Sequence, residues 1–454
     1  ADDEPTPTDP ADTTDGLDDG EVGGDATPAL TTSFFDYRRA PQAVASVASA
    51  SQLEAAMDPV FGFVGPTSCA AVAVDGVSVA ATNADVPVTP ASNQKLFVAL
   101  AALEILGPEF RFTTSVAVPP AQEGVVDGDI YLIGGGDPVL TSDDYPIEED
   151  RQPVVNATSF DTLADGLVDA GITRIRGTVI GDGTRYDDEW VIDEWAEGVA
   201  FVEAGPYDSL LANDARVLGR SGLQEDPNEG AAREFVRLLN DRGIRVDNGW
   251  GSGIASSLVP VVATVDSEPL SAIIGEMLLT SDDNTAEMLL KEIGFAASGQ
   301  GTREAGLNAM TQTIEALGVD MEDVSFRDGS GLSNQNRATC SALLDVVQLA
   351  RGTSIEAGWP VAAESGTLAD EFGGTEMAGR LRGKTGTLTG VKALSGVVEP
   401  RSADADTVGT IEFVIVLNLE GASSEELYRP LWAAIGERFA TYPAGPSSDS
   451  LGPR

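Results

Sequence analysis

The chain is 454 residues long, contains no histidine, and carries 73 Asp and Glu against 27 Lys and Arg, a formal net charge of −46. Without histidine, no Ser-His-Asp or Cys-His catalytic site and no His-ligated zinc, copper, non-haem iron or haem centre is available. The two cysteines, Cys69 and Cys340, are too few for a Cys₄ site, and the acidity argues against nucleic acid and anionic membranes as partners. An enzyme of this composition must draw its base from a carboxylate, a lysine, or a water held by one of them. Lysine is scarce, with four residues (Lys95, Lys291, Lys384 and Lys392) against 23 arginines. The length predicts two to four domains at about 100–200 residues each.

Residues 1–30 hold ten acidic residues and no basic one, mixed with Thr, Pro and Gly. Such a segment cannot bury enough apolar surface to offset chain entropy, so residues 1–34 are expected to form a disordered acidic tail. The chain opens with Ala-Asp-Asp-Glu rather than a basic and then apolar stretch, so no signal peptide is expected within it. No apolar run reaches about 18 residues, and no transmembrane segment is expected. Gln42 to Met57 reads as a helix. Ser68–Val74 and Val77–Ala81 read as strands joined at Asp75-Gly76, a hairpin signal. Pro90 and Gly107-Pro108 frame a helix whose body, Leu96–Leu103, is apolar on every side and so belongs inside a domain. From about 109 to 260, short β-like runs (Thr113–Val118, Asp129–Ile133, Arg174–Ile180, then Val261–Val265) are separated by Gly- and Asp-rich turns. Helical stretches resume at Glu268–Leu279, Thr285–Ile293, Arg303–Leu317 and Cys340–Arg351. Strands follow at Gly386–Leu388, Ala393–Val398 and Ile411–Leu419. A last helix starts at Ser423, with Glu426 completing a capping box, and runs to about Phe439. The pattern predicts one α/β domain made of residues 35–108 and 263–442, interrupted by a mostly β insert at 109–262 and followed by a loose tail at 443–454.

Ser92 and Lys95 stand three apart at a helix start, so their side chains share a face. A serine hydroxyl is a weak nucleophile until its proton is taken, and a lysine whose charge is disfavoured by burial can take it. The helix N-terminus adds backbone N–H groups suited to an oxyanion. An isolated Ser-x-x-Lys is most often an ordinary helix start. Here the lysine is followed at once by Leu96–Leu103 and sits at the edge of a buried helix, a costly place for an unpaired charge. Lys384-Thr385-Gly386-Thr387 has the small and hydroxyl residues that let a substrate backbone lie along a strand edge, with Lys384 placed to meet a carboxylate. Taken alone, it reads equally as a turn. Ser281-Asp282-Asp283-Asn284, between two helical stretches, reads alone as helix capping.

In the order 92, 281, 384, these elements together resemble the Ser-x-x-Lys, Ser-x-Asn and Lys-Thr-Gly signature of penicillin-interacting serine enzymes. Two of the four lysines fall on the required positions. The interval of 189 residues between Ser92 and Ser281 is much longer than in serine β-lactamases. It is similar to that of the low-molecular-mass class C penicillin-binding proteins, the D-alanyl-D-alanine carboxypeptidase/endopeptidases of peptidase family S13. Gly134–Pro138, Asp328–Ser333, Ser365–Leu368 and Gly379–Gly383 also resemble that family, and the resemblance spans roughly residues 35–440. It implies a penicillin-binding transpeptidase-like, serine β-lactamase-like α+β sandwich, with an antiparallel sheet flanked by helices. The inserted domains would have 151–202 nested within 109–150 and 203–262.

The resemblance further implies acyl transfer without a cofactor on peptidoglycan stem peptides ending in D-Ala-D-Ala, with β-lactams as covalent inhibitors, by an exported cell-wall enzyme. Ser92 would be the nucleophile, Lys95 its base and Ser281 a proton relay. Lys384, Thr385, Gly386 and Thr387 would bind substrate, and the backbone N–H groups of Ser92 and Thr387 would form the oxyanion hole. There is one departure. If Ala286-Glu287 matches the Ala-acidic pair that follows Ser-x-Asn, Asp283 occupies the asparagine position and Asn284 lies one residue late. Either the chain presents Asn284 to substrate or Asp283 serves.

Two other readings use the same residues. A β-lactamase needs a deacylating glutamate, and Glu304-Ala305-Gly306-Leu307-Asn308 matches the Glu-x-x-Leu-Asn pattern of class A enzymes. That match falls inside the helical stretch Arg303–Leu317, whose apolar positions include Leu307, Met310, Ile314 and Leu317. A non-catalytic wall-binding homologue would rest on Asp283 alone. Cys69 and Cys340 both fall outside the insert, and in an exported protein they are candidates for a disulfide that sequence does not decide. Arg174, Arg176 and Arg185 are scattered cations of the insert, expected to be solvated surface.

Overall fold

The computed structural model describes residues 41–145, 155–400 and 409–451, apart from 447. The acidic tail expected at 1–34 lies outside the described residues, as do 447 and 452–454 of the C-terminal stretch. At the start of that stretch, the Gly445 N–H donates to Ser49 Oγ at 3.1 Å, so it packs back on the first helix.

Five antiparallel strands form the main sheet, in the order Leu381–Leu388, Val391–Val398, Ile411–Asn418, Cys69–Val74, Val77–Thr82. The inner strands are apolar on both faces because both faces are covered. Ala71, Ala73, Ala393, Val397, Val414 and Val416 pack with the buried faces of the helices Lys95–Leu106, Leu270–Thr280 and Cys340–Ala350. Val72, Leu394, Val398, Phe413, Ile415 and Leu417 pack on the other side with the helices Pro41–Phe61 and Glu425–Ala440. This division follows the two-residue period of a strand, which sends alternate side chains to opposite faces. The result is the expected α+β sandwich, two helical layers around one antiparallel sheet.

A second sheet uses residues that lie between the two halves of the first. Its order is Trp250–Ser252, Val179–Asp182, Ile130–Ile133, Thr113–Ala117, Val261–Asp266. It has its own core around Val116, Leu132, Phe160, Leu163, Val179 and Phe235. The segment 151–202 is not set apart as a nested unit. Its strand Val179–Asp182 pairs with Ile130–Ile133 on one side and Trp250–Ser252 on the other, so a single core draws on all three stretches. The one strand expected at Arg174–Ile180 is two, Arg174–Ile175 and Val179–Asp182. Between them, Gly177 lies against Gly128, where a Cβ would stand 2.2 Å from the carbonyl oxygen. Of the insert arginines, Arg176 is exposed, as expected, beside the exposed Asp127 at 3.4 Å, while the partly buried Arg174 and Arg185 pair with Asp247 at 2.7 Å and Glu292 at 2.6 Å.

Two other expectations change. The strand expected at Gly386–Leu388 already begins at Leu381. Arg382, Gly383 and Lys384 show no strand-like alternation, but pairing with Val391–Val398 holds them in the ladder. The capping box expected at Ser423 and Glu426 is absent. The last helix runs Glu425–Ala440 from Ser424, which makes no side-chain capping bond.

Cys69 and Cys340 form a disulfide across a Cα–Cα distance of 5.9 Å. It joins an inner strand of the main sheet to the Cys340–Ala350 helix and closes a sequence separation of 271 residues. Cross-linking so long a loop restricts the unfolded chain. Replacing both cysteines by alanine is expected to lower stability by about 2–4 kcal/mol. Urea denaturation of the oxidised protein and the double variant checks this, with equal midpoints as the contrary result.

Candidate active site

Ala91–Gln94 forms a single 3₁₀ turn that runs directly into the Lys95–Leu106 helix. Residues three apart nearly eclipse in such a turn. Lys95 Nζ therefore stands 3.2 Å from Ser92 Oγ. Lys95 is fully buried, and its other contacts are Asp283 Oδ1 at 2.6 Å and the Ser330 carbonyl at 2.6 Å. Ser92 is half-buried and opens on a cleft.

The Ser330 carbonyl is held by its own loop. Asp328 accepts from the N–H groups of Gly331 and Ser333, the Asn336 amide and the Trp195 indole. Glu287 accepts from the N–H groups of Gly329 and Ser330. Burial, and then the neighbouring Asp328 carboxylate, pushes Glu287 up to about 8. Gly331, at φ +92°, brings the loop so close to the Ala91–Gln94 turn that a Cβ there would stand 2.1 Å from the Ala91 carbonyl oxygen.

Thr280, Ser281 and Asp282 make a tight junction between two helices. Ser281 ends the first helix with φ 67° in the left-handed region, and Asp282 caps the second by accepting from the Thr285 N–H at 3.2 Å. The capping reading is therefore correct for Asp282, while its neighbours on either side face the cleft. Ser281 Oγ accepts from Lys384 Nζ at 2.8 Å. Asp283 stands in the first helical turn and meets Lys95. Burial pushes the Asp283 carboxyl up, against the pull of Lys95.

Asn284 does not enter the site. Successive helical residues diverge by about 100° around the axis, so Asn284 faces away from Lys95. Its amide is spent on the insert, accepting from the Gly205 N–H at 2.7 Å and donating to Asp214 at 3.2 Å. The substrate-facing alternative for Asn284 is thus corrected, and Asp283 is the side chain at the cleft.

Lys384 lies in the Leu381–Leu388 strand at one edge of the main sheet. It is fully buried, and besides Ser281 it donates to the Thr385 carbonyl at 2.8 Å. Burial, and next the charge of Lys95, holds its amine well below the usual lysine range. Thr385 shares a 2.6 Å hydroxyl–hydroxyl bond with Thr367, and Thr387 Oγ1 accepts from Lys392 Nζ at 3.0 Å. Gly386 sits between them in the strand, with its backbone against Pro90–Ser92. The geometry is one hydroxyl beside a buried amine, a second hydroxyl beside a second buried amine, and an open strand edge along which a peptide can lie.

The cleft has a volume of about 660 Å³ and is lined by Ser92, Ser281, Asp283, Thr385, Thr387 and Lys392 among others. Sequence reading missed one wall of it. Val199 and Glu203 of the insert line the cleft. Lys291 Nζ anchors this part of the insert by donating to the Glu189 carbonyl at 2.7 Å, and Arg303 pairs with Glu189 at 2.7 Å. No motif marks those residues. Their only signal is an apolar set, including Ile192, Trp195, Tyr207 and Leu211, that packs on Met288 and Leu332. Glu304 is elsewhere. It lies in the Arg303–Ala316 helix and lines a different surface cleft with Gln300, Asn308 and Gln312.

The chain matches known proteins along most of its length. A family model described as the D-Ala-D-Ala carboxypeptidase 3 (S13) family matches residues 66–218 and 208–433. A "D-alanyl-D-alanine carboxypeptidase" of Actinomadura sp. (strain R39) is 29% identical over 394 residues, covering 68% of this chain and 70% of the relative. "Carboxypeptidase DacB" of Mycolicibacterium smegmatis is 29% identical over 371 residues, covering 78% of this chain and 76% of the relative. The crystal structure of penicillin binding protein 4 (dacB) from Haemophilus influenzae superposes with a TM-score of 0.69 at 19% identity, covering 85% of this chain and 98% of that one. The last match shows the shared fold. The family match covers both the segment that carries Ser92 and Lys95 and the segment that carries Ser281 and Lys384, and the chain belongs to the D-Ala-D-Ala carboxypeptidase 3 (S13) family.

Proposed function

We propose that this protein is a serine-type D-Ala-D-Ala carboxypeptidase, with D,D-endopeptidase activity, that acts on peptidoglycan stem peptides and is acylated by β-lactams. The observation that carries the reading is the 3.2 Å contact between Ser92 Oγ and the buried amine of Lys95. Ser92 attacks the carbonyl of the D-Ala–D-Xaa bond while Lys95 takes its proton. Backbone N–H groups of Ser92 and Thr387 receive the oxyanion. The C–N bond breaks as a proton reaches the leaving amine through Ser281, which is hydrogen-bonded to Lys384. Water then releases the acyl group from Ser92. Thr385, Thr387 and Asp283 position the substrate from the cleft wall. The position of Glu304 outside this cleft weighs against a class A β-lactamase mechanism. Residues 109–262 serve as an inserted unit that walls the cleft. The protein works outside the cytoplasm, since the Cys69–Cys340 bond suits an oxidising compartment.

The direct test is labelling with a fluorescent penicillin together with release of D-Ala from a diacylated tripeptide ending in D-Ala-D-Ala. The expected result is a stable covalent label and D-Ala release. Absence of both, or rapid sustained turnover of nitrocefin, overturns the reading. Mass spectrometry of digested muropeptides separates carboxypeptidase from endopeptidase products.

Asp283 gives a prediction specific to this chain. Its carboxylate accepts from Lys95 Nζ at 2.6 Å and lines the cleft, where an ionised carboxylate can offer substrate an acceptor only. Asp283→Asn keeps an oxygen to accept from Lys95 and adds an amide N–H donor for a substrate carbonyl. On a D-Ala-D-Ala peptide, kcat/KM is expected to rise by about tenfold, roughly the worth of one added hydrogen bond. Steady-state kinetics of the variant beside the wild type checks it, and an unchanged or lower kcat/KM contradicts it.

A further inference from the structure

Lys384 is the cation expected to meet a substrate carboxylate, yet it does not reach the cleft surface. It is fully buried, with Ser281 Oγ and the Thr385 carbonyl in front of it. Lys95 is buried as well, behind Ser92 and Asp283. Among the described residues that line the cleft, the cation is Lys392.

Lys392 lies on the Val391–Val398 strand, directly opposite Thr387 in the antiparallel register. Opposed residues project to the same face of a sheet. Its Nζ stands 3.0 Å from Thr387 Oγ1, 4.1 Å from the Tyr428 ring centroid and 5.1 Å from that of Trp432. The two rings are themselves fixed. Trp432 stacks on Phe372, and Tyr428 donates its hydroxyl to Glu371 at 2.8 Å. The ammonium is thus held by rings on one side and a hydroxyl on the other, with little rotamer freedom left to lose when it binds an anion.

The hydrogen bond also has a direction. An ammonium only donates, so Thr387 Oγ1 must accept from Lys392 and its own O–H points elsewhere. Thr387 lines the cleft, which makes that proton available to a substrate oxygen.

We propose that Lys392, and not Lys384, is the charged residue that reads the C-terminal carboxylate of the scissile D-dipeptide, together with the Thr387 hydroxyl that it orients. Lys384 is left to the proton traffic of Ser281. Burial, which lowers the Lys392 amine, gives its charge a half-buried setting in which a carboxylate is a better partner than water. The inference rests on the carboxypeptidase reading and names the specificity determinant of that same cleft.

The test compares kcat/KM for the diacylated tripeptide ending in D-Ala-D-Ala with that for the same peptide carrying a C-terminal amide. Lys392→Met is expected to reduce the preference for the acid over the amide by about tenfold, mainly through KM, and Lys392→Arg to retain most of it. Thr387→Val is expected to lose part of the same preference, less than additively with Lys392→Met. If Lys392→Met does not fold, Lys392→Gln and Thr387→Val read the same ratio. Equal loss on acid and amide would mean that Lys392 only supports the strand, and overturns the inference while the carboxypeptidase reading stands. A wild type with neither turnover nor covalent penicillin label overturns the underlying reading and the inference with it.

Discussion

Ser92→Ala is expected to lower kcat/KM on a D-Ala-D-Ala peptide by about 10⁴-fold or more and to abolish the covalent penicillin label. The reason is chemical rather than structural. Ser92 is the half-buried hydroxyl at the mouth of the cleft, and its side-chain contact is one hydrogen bond from Lys95. Removing one hydrogen bond of that kind costs about 1 kcal/mol, so the fold should survive. The measurement pairs a labelled gel and D-Ala release with a thermal melt. Label that persists in Ser92→Ala places the nucleophile elsewhere, whatever the melt shows.

Lys95→Met is expected to lose about 10²–10⁴-fold in kcat through loss of the base. Unlike the serine variant, it also changes stability. Lys95 is the ion-pair partner of Asp283, whose side chain is 8% exposed. Breaking a buried pair by removing one partner costs about 3–5 kcal/mol, because the remaining charge is left uncompensated. The pH dependence has a definite sign. Burial already raises the Asp283 carboxyl in the folded state, and loss of Lys95 removes the charge that opposes this rise. A carboxyl whose folded-state pKa exceeds its unfolded one makes the folded protein bind more protons than the unfolded chain. The deficit of Lys95→Met should therefore be smallest at acid pH and grow as pH rises through the folded-state pKa of Asp283. Adding Asp283→Asn should recover much of the stability and none of the lost base. Urea melts of both single variants and the double variant across pH check this. A deficit independent of pH and unrelieved in the double variant contradicts it.

Much of the architecture was legible in the sequence because it rests on local pattern. Leu96–Leu103 is apolar on every side, and that helix is buried from Lys95 to Ala102. Asp75-Gly76 turns the first hairpin as its residue types demand, with Asp75 at φ 46° and Gly76 at φ 78°. Ser92, Ser281 and Thr385, one from each of three motifs far apart in the chain, line one cleft. Leu381–Leu388 was less legible. Its first half is Leu-Arg-Gly-Lys, which has no strand period, and only pairing with Val391–Val398 makes it a strand. The wall at Val199 and Glu203 was not legible at all, because it is set by ion pairs and side-chain packing between residues about a hundred positions apart.

The sequence by itself determined which groups were available. With no histidine and four lysines, a serine enzyme had to place its proton chemistry on a lysine, a carboxylate or a water held by one of them, and arginine, which does not give up its proton, could not replace such a lysine. Only the tertiary structure decided which of two adjacent side chains, Asp283 or Asn284, faces Lys95. One residue is a turn of about 100° on a helix, and no local pattern sets that phase when both sides are packed. The tertiary structure likewise decided which lysine meets the cleft. Lys384 and Lys392 lie on neighbouring strands, and the sheet buries the first and leaves the second half-exposed between Thr387 and two aromatic rings. Charge is written in the sequence, but its exposure is set by what packs against it.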